Sequence, residues 1–158
     1  MRDELSINIY LDETDTPFSR YYSLDDVHLS SDLEDFILSK QHNGSRKEVE
    51  ICFLGQNEFD EKSLQTATIN TFSNILNEEE YTHARNVKKA IVLFVLGIIV
   101  GVIFLKYSTT HTYIAGVLSI VSWVFIWSGT EVYFFENQQI KQKIRKCRNI
   151  LNANVRKK

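Results

Sequence analysis

Residues 90–105 read AIVLFVLGIIVGVIFL, a run without a charged residue between Lys89 and Lys106. Wound as a helix at 1.5 Å per residue it is about 24 Å long, short of the roughly 30 Å hydrocarbon core of a bilayer. The lysine stems at both ends can snorkel, and Tyr107 can sit at the interface, which makes up the deficit. The following stretch decides the reading. Residues 107–130 are also uncharged, and their centre, TYIAGVLSIVSWVFIW, is strongly apolar. Two such segments joined through KYSTTHT read as a transmembrane hairpin, with helices at about 88–107 and 112–134. The competing reading is a pair of buried helices in a soluble core, but a chain of 158 residues could hardly cover two helices apolar on every side. The first apolar run begins at residue 90, too far along the chain for a cleaved signal peptide.

Basic residues orient the hairpin. Arg85, Lys88 and Lys89 precede the first helix, and Lys141, Lys143, Arg145, Lys146 and Arg148 follow the second, whereas only Lys106 lies between them. Positive residues collect on the cytoplasmic side, so we expect a two-pass protein of the plasma (inner) membrane with both termini cytoplasmic and the 106–112 loop outside. Tyr113 on the outer side fits an aromatic belt, as do Trp127, Tyr133, Phe134 and Phe135 on the inner side, with Trp123 somewhat deeper.

Averages conceal this division. The chain has a net charge of -2 and a mean hydropathy of -0.19, like an ordinary soluble protein. Residues 1–84 hold 18 acids against 6 bases, a net of -12, and residues 85–158 hold 2 acids against 12 bases, a net of +10. With 6 Gly, 1 Pro, 2 Cys and 12% aromatics, the chain is not collagen-like, disulfide-stapled or wholly disordered.

The acidic part reads as a small α+β domain, residues 1–84. Leu5, Ile7, Ile9 and Leu11 alternate with polar residues, as do Val49, Ile51 and Phe53, which marks two half-buried strands. Between them Ser30 or Ser31 can cap a helix with Asp32, Glu34 and Asp35 in its first turn and Leu33, Phe36 and Ile37 as apolar residues. Asn43-Gly44 should end it in a turn, and residues 20–24 offer a further short strand. A second helix should begin near Asp60, present Leu64, Thr68, Phe72, Ile75 and Leu76 on one side, and run into the membrane segment of residues 85–135. Residues 136–158 read as a basic amphipathic helix with Ile140, Ile144, Cys147 and Leu151 on one face. Its bases Lys141, Lys143, Arg145, Lys146 and Arg148 fit either anionic lipid headgroups or the acidic domain. Packing on the domain is favoured, because so acidic a body would be repelled from the same surface unless bases shield it.

Several short motifs carry a resemblance: Asp15-Thr16-Pro17-Phe18, Leu33-Glu34-Asp35-Phe36-Ile37-Leu38, the strand at 49–54, the helix around Phe72, and Trp123-Val124-Phe125-Ile126-Trp127 followed by Glu131 and Phe134-Phe135-Glu136. Together they resemble an uncharacterised family of small bacterial membrane proteins with an acidic N-terminal domain and two C-terminal transmembrane helices. The resemblance implies this architecture and no activity. Ser128-Gly129-Thr130 departs from it, standing where bulkier residues are expected before the glutamate.

Few residues invite chemistry. Glu131, four positions after Trp127, should lie near the inner boundary of the bilayer, where a carboxylate is costly. Antiparallel register sets it level with Lys88 and Lys89, so a boundary ion pair is the expectation and a part in ion or proton movement the alternative. Gly97 and Gly101 form a GxxxG, and Ala115, Ser119, Ser122 and Gly129 fall near one face of the second helix. These small faces should pack on each other within the chain, with packing between protomers of a homo-oligomer as the second option. His28, His42, His83 and His111 lack metal-ligand spacing, Cys52 and Cys147 form no CxxC pair, and no nucleotide-binding or hydrolase motif occurs. We therefore expect no cofactor, no metal and no catalytic residues. The acidic domain should not bind nucleic acid.

Beyond the lipid bilayer, the expected partners are a basic protein or a second copy of the chain. Two roles fit: a non-enzymatic membrane-anchored interaction or assembly protein, or an oligomeric pore or membrane-acting effector gated by its cytoplasmic domain.

Overall fold

A computed structural model describes residues 5–12, 15–23, 26–41, 48–55 and 59–157. The elements in order are strand β1 (Leu5–Tyr10), helix α1 (Ser31–Lys40), strand β2 (Val49–Leu54), helix α2 (Glu61–Tyr107), helix α3 (Thr112–Glu131), a π-helical turn (Val132–Glu136), helix α4 (Asn137–Leu151) and strand β3 (Asn154–Lys157). The protein is mostly helical with one small parallel sheet, an α+β chain at this level. It divides into two compact units: residues Met1–Glu79 with Gln142–Lys158, and residues Glu80–Lys141.

In the first unit the period-two alternation is realised as a sheet of order β1-β2-β3 with both pairings parallel. Ile7, Ile9, Val49, Ile51, Phe53 and Val155 point into a core shared with Leu29, Ile37, Leu64, Ala67, Phe72, Cys147 and Ile150. The alternate positions Ser6, Asn8, Tyr10, Asn154 and Arg156 are exposed, so helices cover one face. Cys52 is the exception among these, at 1% exposure. A cross-strand ion pair of 3.1 Å joins Arg156 to Glu50.

Helix α1 starts after Ser30, whose backbone is extended and whose carbonyl accepts from Glu34 N–H at 3.0 Å. Asp32 and Glu34 in its first turn and Lys40 in its last complement the helix dipole. Glycine is required at one turn: Gly55, just after β2, has φ +154°, and a Cβ there would lie 2.5 Å from the Leu11 carbonyl oxygen.

Two features depart from the sequence reading. Residues 136–158 are not one helix: α4 ends at Leu151, and Asn154–Lys157 forms the third strand. Residues 142–158 belong to the same compact unit as residues 1–79. The physical reason is that α4 buries Ile144, Cys147 and Ile150 and β3 buries Val155, which the 80-residue acidic domain needs to complete its core. Residues 20–22 make a turn in place of a strand; the local pairing is a single antiparallel bridge, Phe18 to Leu29. The Asn43-Gly44 turn, residue 24 and His42 lie outside the described residues.

Among the described residues, two helices are long and apolar enough to cross a membrane: Glu61–Tyr107, whose run at 90–105 belongs to the second unit, and the continuous helical path Thr112–Leu151, whose residues 112–141 do. Their apolar side chains face outward, among them Ile98, Val102, Leu105, Ile114, Val117, Ile120 and Trp123. The second path carries the π-helical turn at the aromatic run Tyr133, Phe134 and Phe135, an insertion of the kind that re-aims the residues after it.

Candidate functional site

The loop between β1 and α1 is pinned by the Phe18–Leu29 bridge, with Ser19 N–H donating to the His28 carbonyl at 2.8 Å and Ser30 N–H to the Pro17 carbonyl at 2.9 Å. This places apolar Leu29 in the core and carries its neighbour His28 inside with it, at 4% exposure. A buried imidazole needs partners for both nitrogens. Nε2 lies 3.1 Å from Asp26 Oδ1, and Nδ1 lies 3.4 Å from Thr71 Oγ1 on α2. The Thr71 oxygen also accepts the Leu29 backbone N–H at 2.8 Å. With Nε2–H given to the carboxylate, Nδ1 is the acceptor of the Thr71 hydroxyl. The Tyr22 ring stacks on the imidazole at 3.9 Å between centroids.

Beside this cluster is a cleft of about 340 Å³ lined by Ser19, Tyr22, Ser31, Glu34, Asn74, Glu78 and Lys143 together with His28 and Thr71. Lys143 is engaged at 2.8 Å by Glu79, and this hydrogen bond holds its ammonium above the ordinary 10.5 despite partial burial. Glu34 is pushed above the ordinary 4.5, first by burial and then by the neighbouring charge of Asp35; Lys143 pulls it back and Glu78 adds to the rise. Glu34 and Glu78 thus form an acidic rim with no ion pair of their own among the described residues.

An Asp-His-Thr alignment invites comparison with a nucleophilic triad. The geometry argues otherwise. Thr71 is buried, its oxygen is occupied by a backbone N–H, and Tyr22 covers one imidazole face, so the cluster ties the loop to α2. Cys147 is equally unsuited to attack, since burial pushes its thiol up to about 11. Among the described residues no three His, Cys, Asp or Glu are grouped to hold a metal ion.

Of the bases predicted to contact lipid or domain, Lys143 pairs with Glu79 and Lys146 Nζ donates to the Leu38 carbonyl at 3.0 Å. Arg145 and Arg148 are exposed. Lys141 belongs to the second unit, with its ammonium 5.8 Å from the Tyr133 ring centre.

Three glycines of the second unit lie between its own helices. A Cβ on Gly97 would meet Ile126 Cγ1 at 2.7 Å, one on Gly101 would meet Ser122 Oγ at 3.2 Å, and one on Gly129 would meet the Ala90 carbonyl oxygen at 3.3 Å. Ser122 Oγ donates to the Gly97 carbonyl at 2.8 Å. Ala115 is buried, while Ser119, at the edge of that face, is exposed.

Among the ion pairs of the described residues, none joins Glu131 to Lys88 or Lys89. Gly129 and Val132 are the buried positions at this level, and at 100° per residue Glu131 is turned about 200° from Gly129, onto the exposed side. The cross-helix polar contact is instead Asn86 Nδ2 donating to Glu136 Oε2 at 3.3 Å.

Sequence reasoning passed over Thr71, Tyr22 and Asn74, and weighed His28 only for metal-ligand spacing. One signal was present: Thr68 and Thr71 sit among Leu64, Ala67 and Phe72 on the buried side of α2, where a hydroxyl must find a partner. Thr68 returns its proton to the Leu64 carbonyl at 2.7 Å, which leaves Thr71 as the one reaching another segment. The chain matches no protein-family model, no curated protein and no solved structure.

Proposed function

We propose that this chain is a two-pass integral membrane protein that serves as a non-enzymatic anchor, holding a cytoplasmic acidic domain at the inner membrane surface to bind a basic protein partner. One observation carries the reading. The first compact unit is assembled from residues on both sides of the 80–141 segment, because β3 pairs with β2 and α4 joins the core of the sheet. If the two apolar helices cross a bilayer, the flanking segments must lie on one side of it, or the sheet could not close. The basic residues that flank the apolar segments favour the cytoplasmic side.

The outward apolar surface of the second unit supports lipid as its surroundings, since an exposed patch of that extent is not sustained in water. The pore alternative called for small-residue faces free to meet other copies, but Gly97, Gly101 and Gly129 are occupied within the hairpin, so it is not favoured.

The test of topology uses single cysteines introduced by Thr110→Cys and Ser6→Cys, labelled with a membrane-impermeant maleimide. Thr110→Cys should react in intact cells and Ser6→Cys only after permeabilisation; the reverse pattern overturns the orientation. Capture of a partner should be tried with the full chain in nanodiscs. A persistently empty capture from both membrane and cytosolic extracts would remove the interaction role.

A further inference from the structure

We propose that the cleft lined by Ser19, Tyr22 and His28 together with residues of α1 and α2 is the seat for an arginine side chain of a basic segment on the partner protein, with Glu34 and Glu78 as its carboxylate pair and Tyr22 as its stacking wall. This rests on the interaction role above and names the place and chemistry of recognition. Three observations converge. The cavity, about 340 Å³, is ample for a guanidinium and its stem. The lysine on its lining is already engaged by Glu79, so Glu34 and Glu78 carry negative charge into the cleft without an ion pair among the described residues. Tyr22 is half-exposed and stacked on His28, which offers a held aromatic face of the kind guanidinium groups stack on.

Neutral acceptors and donors complete the seat. Ser19, Ser31 and Asn74 line the same cavity, and a planar fork of five N–H donors can use several acceptors at once. A compact ammonium would use fewer, which favours arginine over lysine. The raised position of Glu34 fits the same picture, because burial penalises this carboxylate despite the pull of Lys143, and an arriving guanidinium stabilises such a group.

The experiment measures binding to the full chain in nanodiscs. The probe is a blocked peptide of four arginines spaced by glycines, compared with the same peptide carrying citrulline, the uncharged isostere. E34Q/E78Q should weaken the arginine peptide about tenfold or more, the loss expected when a charge-assisted contact is removed. Y22A should weaken it further. D32N/E61Q, which removes two charges from exposed positions outside the cleft, should leave affinity within about twofold, as expected for screened surface charge. Unchanged thermal unfolding of each variant shows that the fold is intact.

Equal losses in E34Q/E78Q and D32N/E61Q would overturn the site in favour of diffuse electrostatics. Citrulline binding as tight as arginine would do the same, and displacement of the peptide by equimolar spermine would reassign the cleft to free polyamines. A chain that captures a partner yet ignores these peptides loses only the cleft assignment; one that does neither loses the interaction role as well.

Discussion

Residues 1–84, the whole acidic segment, should not fold when expressed alone. The core of the first unit takes Ile144, Cys147 and Ile150 from α4 and Val155 from β3, all buried. At about 1.5–3 kcal/mol for each fully buried aliphatic side chain, Ile144, Ile150 and Val155 together contribute roughly 5–9 kcal/mol. That is comparable with the whole stability of a small domain, about 5–15 kcal/mol. Strand β2 would also become an edge, and Ile51 and Phe53 would be left partly uncovered.

A spliced chain of residues 1–79 joined to 142–158 should recover the fold. The cut ends are near each other, since Lys143 Nζ is 2.8 Å from Glu79 Oε1, and a Gly/Ser linker of about eight residues spans roughly 15 Å. Urea unfolding followed by far-ultraviolet circular dichroism distinguishes the two chains. The spliced chain should give one cooperative transition and dispersed amide NMR signals, and residues 1–84 should give neither. Cooperative unfolding of residues 1–84 at a similar midpoint would refute the argument that the C-terminal segment is a structural part of the domain.

Other consequences are local. Gly55→Ala places a Cβ 2.5 Å from the Leu11 carbonyl at φ +154°, and should cost about 1–3 kcal/mol, read as a lower urea midpoint of the spliced chain. Gly97→Ala must displace Ile126, whose Cγ1 lies 2.7 Å from the new Cβ, and overpacking of this kind costs about 1–3 kcal/mol, visible as a lower melting temperature of the full chain in detergent. Cys52 and Cys147 are both nearly fully buried, so a thiol reagent at pH 7.5 should modify neither until denaturant is added; mass spectrometry of the native protein checks this.

The acid side of the stability profile depends on Glu34. Its folded value is raised, so the folded state holds that proton more tightly, and stability falls as pH climbs from the ordinary 4.5 through the folded value. E34Q should flatten that fall. The raised Lys143 acts in the same direction at alkaline pH: its contribution is fully present below 10.5 and is lost as pH rises through the folded value, and K143M should cost at most about 1 kcal/mol at neutral pH because the pair is half-exposed.

Much of the secondary structure could be read from local pattern. The alternation at 5–11 and 49–53, the acidic first turn after Ser30 and the uncharged runs at 90–105 and 107–130 depend on neighbours in the chain, and each yields its element. Residues 154–157 did not announce themselves. In NVRK only Val155 is apolar, and four residues with one buried side chain have no period; they become a strand because β2 offers an unpaired edge. Ion pairs were least legible. Glu131 and Lys88 share a level in the hairpin, but helical phase, which shifts with each packed residue, turned Glu131 outward.

The sequence by itself determined that two helices are apolar enough to cross a membrane and that charge is segregated along the chain, because both are sums over contiguous residues. It also marked Lys141, Lys143, Arg145, Lys146 and Arg148 as a group without deciding between lipid and protein. Tertiary structure alone decided that Lys143 and Lys146 reach acceptors in the acidic unit, that His28 is buried between Asp26 and Thr71, and that a cleft opens beside them. The contacts that join distant segments span 43 residues for His28 with Thr71 and 108 for Lys146 with Leu38. Such pairings are set by how the sheet closes around the returning C-terminal segment, and no local pattern encodes that closure.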